Sequence, residues 1–186
     1  SLNSTGETRL DGAMTAGSLT TNTGGTTVLN GGNVTASGAV TFNDAVTLGA
    51  NTTLNGQSVS FASTVNGTYD LTVNASGATI FGGLIGNTAP LASLTTDAPG
   101  STQLNAASVD TTGAVTLNDN VTLGTDVTVT TDNAAVLFGG TVNSADNTAR
   151  DLTIDAGSGA VRLAGAVGTG KALDAVSLNS TGETRL

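Results

Sequence analysis

The decapeptide SLNSTGETRL occupies residues 1–10 and recurs unchanged at residues 177–186, so two identical stretches stand at an offset of 176. Ten consecutive identities do not arise by chance. The decapeptide also belongs to a pattern that runs through the interior, which sets aside a cloning remnant at both ends. The chain therefore reads as one long period of a tandem array with the start of the next, and it needs a fold in which periods join end to end.

A second repeat lies inside the first. Residues 18–49, SLTTNTGGTTVLNGGNVTASGAVTFNDAVTLG, align without gaps on residues 93–124, SLTTDAPGSTQLNAASVDTTGAVTLNDNVTLG, at an offset of 75. Leu19 matches Leu94, Leu29 matches Leu104 and Val40 matches Val115. The blocks VT, ND and VTLG follow in the same order, and YDLTVNAS later aligns with RDLTIDAGS. From Ser93 to Ser177 the offset is 84. The expected organisation is a single continuous segment over 1–186, with sub-repeats 1–17, 18–92 and 93–176, and with 177–186 opening the next period.

Short runs such as Val40-Thr41-Phe42, Val46-Thr47-Leu48, Val59-Ser60-Phe61, Leu71-Thr72-Val73, Val115-Thr116-Leu117 and Leu152-Thr153-Ile154 alternate apolar and polar residues. That is the period-two pattern of half-buried strands. Val and Thr favour extended backbone, and the flanking Asn-Gly, Gly-Gly, Asn-Asp and Ser-Gly pairs favour turns. No window carries an apolar stripe of helical spacing, and the Gly, Thr and Asn content opposes helix.

The spacing of these strands points to a solenoid. Strand starts near 26, 45, 63, 83 and 101 share a step of about 18 to 20 with those near 33, 52, 70, 90 and 108, and with those near 39, 58, 78, 94 and 114. Three interleaved series with one step describe a three-sided coil stacked on its predecessor, the parallel β-helix; a β-sandwich has no reason for a common step. On this register the sub-repeat 18–92 makes four coils, 93–176 makes four longer coils and 1–17 makes one. Nine coils per period would advance a fibre by roughly 43 Å. The same register expects Phe42, Phe61 and Phe81 in one interior row, with Leu117 and Phe138 continuing it.

Composition suits a narrow interior: 3% of residues are aromatic and 10% charged. Net charge is −9 with five basic residues, so no cationic stripe exists to neutralise phosphates, which disfavours nucleic acid as a partner. No apolar run is long enough to insert in a membrane as a helix. There is no cysteine, which removes disulfides and thiolate chemistry and fits an exported bacterial protein.

The recurring phrases TTVLNGGNVTASGAVTFNDAVTLGANTTLNG and SVSFASTVNGTYDLTVNASGATIFGGLIG resemble the repeats of large bacterial surface adhesins of the filamentous-haemagglutinin-like type, often exported by two-partner secretion. The resemblance covers essentially the whole chain and is one of repeat style and composition. It implies a right-handed parallel β-helix, an extracellular or cell-surface location on a Gram-negative bacterium, and a role in attachment, aggregation or biofilm.

Two other functions share this architecture. Polysaccharide-binding or polysaccharide-degrading β-helices cluster carboxylates, with a basic residue or calcium, in a groove. Here the acids fall mostly in expected turns, Asp44 and Asp119 are equivalent positions four expected coils apart, and His and Cys are absent with a single Tyr, Tyr69. No catalytic residue and no cofactor is expected, and the chain does not read as an enzyme. The GGxGxD calcium pattern is missing, so no metal ligand is assigned; turns such as Asn118-Asp119-Asn120 read as solvated caps. Ice-binding solenoids need regular Thr-x-Thr rows, and only Val127-Thr128-Val129-Thr130 has that spacing. The expectation is a structural segment of a fibre or stalk whose partners are neighbouring repeats, other fibres or surface glycans. An isolated period is expected to stack axially or to fray over residues 1–17.

Overall fold

A computed structural model describes residues 1–186. It contains strands and no helix, and every strand pair is parallel, joining residues one coil apart. Three faces result. Face 1 is built from Glu7–Leu10, Thr26–Leu29, Ala45–Leu48 and Val65–Asn66, and, beyond a bridge at Ile85, from Ser108–Thr111, Val127–Thr131, Leu152–Gly157 and Val176–Ser180. Face 2 is an unbroken sheet of nine strands: Met14–Ala16, Asn33–Ala36, Thr52–Gly56, Asp70–Ala75, Ser93–Thr96, Val115–Leu117, Val136–Phe138, Val161–Leu163 and Thr184–Arg185. Face 3 carries Leu19–Thr20, Ala39–Phe42, Ser58–Phe61, Ala78–Phe81, Ser101–Leu104, Asn120–Leu123 and Val142–Ser144, extended by bridges Leu2–Thr21 and Val142–Val167. The chain visits the faces in the order 1, 2, 3 and makes a β-solenoid of about nine turns.

Alternation sets which side chains enter. Along Ala39–Phe42, Val40 and Phe42 are buried while Thr41 turns outward, and the same phase recurs in Ser58–Phe61 and Ala78–Phe81. The buried apolar side chains form one cluster of 36 residues, so no coil boundary interrupts the core. Inward threonines at the corners answer the backbone where it turns: Thr111 Oγ1 donates to the Gly113 carbonyl and Thr131 Oγ1 to that of Ala134, each at 2.7 Å. Between faces 1 and 2 the coils close on each other at Gly67. Its φ of +129° and the 2.5 Å that a Cβ would leave to the Leu48 carbonyl both demand glycine.

The three expected series hold through residues 78–81 and then slip by one strand. Ile85 and Leu91 both lie on face 1, bridged to Val109 and Thr111, with residues 86–90 looping out between them. The Asn66 side chain accepts the N–H groups of Thr88 and Ala89 and holds that loop down. No strand forms at 90. Strand Ser101–Leu104 therefore lands on face 3 and Ser108–Thr111 on face 1, each one face away from its expected series. Each long sub-repeat thus falls one strand short of four turns. Coil length also widens after the slip: Val142 pairs with Val167, whereas Val40 pairs with Val59.

The slip divides the interior row. Phe42, Phe61 and Phe81 do stack, with centroids 5.3 and 5.2 Å apart and ring planes 15° and 3° from parallel. The register continues that row through Leu104 and Leu123. Leu117 and Phe138 do not extend it; they stand on face 2 in a second row with Thr96 and Leu163. A ring sandwiched on both sides loses contacts on both sides when truncated. Phe61→Ala is expected to cost about 3–5 kcal/mol. Phe61→Leu, which repeats what Leu104 already does in the same row, is expected to cost under about 1.5 kcal/mol. Equilibrium urea unfolding checks both, and equal losses would mean that the stack contributes nothing specific.

Candidate functional site

The five interior residues singled out from sequence, Phe42, Phe61, Phe81, Leu117 and Phe138, are all fully buried and meet only one another and the core. Polar chemistry is found at the corners, where Asx side chains recur with one task. Asn51 accepts the Asp70 N–H, Asn120 that of Thr141, Asp126 that of Asp151, and Asp151 that of Ala175. In each case the acceptor sits one coil below the amide it caps. Asp97 differs in direction, taking the Ala75 N–H of the coil before it. These acids are spent on turn geometry.

Two carboxylates depart from that pattern. Asp119, expected as a solvated turn cap, and its repeat equivalent Asp44 are 2% and 4% exposed. The reason is the corner itself: each follows an Asn whose amide donates to a threonine carbonyl one coil back, Asn43 to Thr21 at 2.6 Å and Asn118 to Thr96 at 2.8 Å. The side chain that follows points inward. Asp44 is then met by Thr21 Oγ1 at 2.7 Å and by Thr27 Oγ1 at 3.0 and 2.9 Å. Asp119 receives Thr102 Oγ1 at 2.8 Å on one oxygen, and its Oδ1 has no partner.

The two corners are the same device. Thr21, Thr27, Asn43 and Asp44 correspond, at the internal repeat offset of 75, to Thr96, Thr102, Asn118 and Asp119. Because the sub-repeat is one strand short of four turns, the first device sits between faces 3 and 1 and the second between faces 2 and 3. Inward-phase threonines preceding the shared Asn-Asp pair were the available signal. Burial pushes the Asp119 carboxyl above its ordinary range; the Thr102 hydroxyl opposes this, and the nearby Asp97 charge adds to the rise.

On the outer surface one concavity stands out, an open groove of about 550 Å³ along the corner between faces 2 and 3. It is lined by Asn55, Asn74, Gln57, Ser37, Ser76 and Asp97, among others. Asn74 Nδ2 donates to Asn55 Oδ1 at 2.9 Å, and Asn55 Nδ2 to Thr35 Oγ1 at 3.3 Å, so the amides form a ladder up the groove wall. Such a wall offers amide and hydroxyl donors and acceptors to a polar ligand, with Asp97 as its single acid. Elsewhere, Thr128 and Thr130 face outward beside Ser108 and Asp110 on one coil and Thr153 and Asp155 on the next. The Thr-x-Thr row is one coil deep. No group of three or more acidic, His or Cys side chains comes together, and no helix is long and apolar enough to cross a membrane. Comparison with models of known protein families, with curated proteins and with solved structures finds no match.

The folded chain keeps a proton on Asp119 at pH values where the unfolded chain has released it. Stability from this group is therefore full in acid and is lost as pH rises through the raised folded value. Titrating the side-chain carboxyl by NMR should place Asp119 above an ordinary aspartate. Thr102→Val, which removes its donor, should raise that midpoint further and cost about 1–3 kcal/mol at neutral pH. An Asp119 midpoint at or below the ordinary range would dispose of this reading.

Proposed function

We propose that this chain is a structural repeat segment of an extracellular fibre or stalk of a bacterial surface adhesin, which projects adhesive parts and supports attachment, aggregation or biofilm. The observation that carries the reading is the pairing of every coil to its neighbour in a stack whose ends bear one decapeptide. Residues 7–10 pair upward with Thr26–Leu29, and the same sequence at 183–186 takes its strand pairing from Val161–Leu163 below. A rod of this kind gains length by adding periods, with neighbouring repeats as its first partners. The polar corners and the net charge of −9 keep the sides of the rod hydrated. The amide-lined groove favours a second reading in which the sides also bind surface glycans, since Asn55 and Asn74 present the donor and acceptor pairs that sugar hydroxyls match.

Deleting whole long periods from the full-length gene tests the stalk reading by electron microscopy of the cell surface. Each period removed should shorten the fibre by about 40 Å, at about 4.8 Å per coil. Attachment should fail once the tip no longer clears the surface layer. Fibres of unchanged length, or a protein that never reaches the surface, would refute it.

A further inference from the structure

The decapeptide is seen twice, each time from a different side. At residues 1–10 its upward neighbours are in place: Leu2 is bridged to Thr21, Glu7–Leu10 pairs with Thr26–Leu29, and the Leu2 and Leu10 carbonyls accept the N–H groups of Asn22 and Asn30. At residues 177–186 its downward neighbours are in place: Leu178 pairs with Ile154 and Thr184 with Val161, and the Gly157 carbonyl accepts the Thr181 N–H.

The two copies also hold one local conformation. Gly6 N–H donates to Ser4 Oγ and Gly182 N–H to Ser180 Oγ; Arg9 meets Glu7 at 3.0 Å, and Arg185 meets Glu183 at 2.6 Å. Both place the same residues inward, because Thr8 shares a row with buried Thr27, and Thr184 shares one with buried Val161. Superposing the copies therefore specifies the junction between periods: Ile154, Leu178 and the next Thr21 in one row, and Val161, Thr184 and the next Thr27 in another.

The copies do not lie on the same faces. Leu2 stands on face 3 and Leu178 on face 1; Glu7–Leu10 is on face 1 and Thr184–Arg185 on face 2. Twenty-five strand positions separate the copies, eight full turns and one strand. We infer that the open edge formed by Val176–Ser180 and Thr184–Arg185 receives the next period of the same chain rotated by one face, so that tandem periods follow a threefold screw. This rests on the tandem-stalk reading above. Every lateral feature, the amide-lined groove included, then appears on three sides in succession and returns to its own side after three periods, about 120 Å along the rod.

Electron cryomicroscopy of fibres of the full-length protein decides the matter, with the decapeptide traced in at least three consecutive periods. The expected map shows it advancing one face per period with a rise of about 40 Å. A rod in which every copy lies on the same face, with a whole number of coils per period, overturns the inference and leaves the stalk reading standing. Separate globular beads overturn both.

Discussion

Everything in this molecule depends on the parallel hydrogen-bond ladder between one coil and the next. Of 104 backbone hydrogen bonds, 47 lie outside the regular strands, and most of those still join residues one coil apart, as Ala62 does with Phe42 and Gly77 with Gln57. Pairing therefore continues around the corners instead of lapsing there. A coil satisfies few of its own polar groups and relies on its neighbours for nearly all of them, which makes stability a nearest-neighbour sum.

The ladder explains what was legible in the sequence. Alternation such as Val40-Thr41-Phe42 reports directly which side of a strand is inside, and the stacked phenylalanines through Phe81 follow from a constant step. Counting residues does not reveal a segment that leaves a face and rejoins it, as residues 86–90 do between Ile85 and Leu91. A constant step therefore places Leu117 and Phe138 in the phenylalanine row, whereas they stand in the row of Thr96. The inward acids are hidden for another reason: Asn-Asp is a turn signal in general, and what marks these two pairs is the bonding of Asn43 and Asn118 to threonine carbonyls one coil back and of the carboxylates to threonine hydroxyls. Neither partner is near in sequence.

Asp44 and Asp119 also illustrate how a thin core tolerates charge. Asp44 is met on both oxygens by threonine hydroxyls and so carries its burial cost with compensation. Asp119 sits in the same frame with one oxygen unanswered and with Asp97 nearby, and its proton affinity rises. Duplication copied the frame but not the full set of bonds.

The sub-repeat's length, one strand short of four turns, decides where equivalent groups point. Thr27 on face 1 and Thr102 on face 3 do the same work for their respective aspartates. The same corner device is therefore built on two different pairs of faces, between faces 3 and 1 at Asp44 and between faces 2 and 3 at Asp119. Along the 18–92 sub-repeat the register shifts by a third of a turn while parallel pairing continues across it through the bridges at Ile85 and Leu91, so equivalent groups end up aimed at different sides. The side on which a surface group is displayed is thus set by the number of strands that precede it, while the apolar alternation that builds the core is the same on every face.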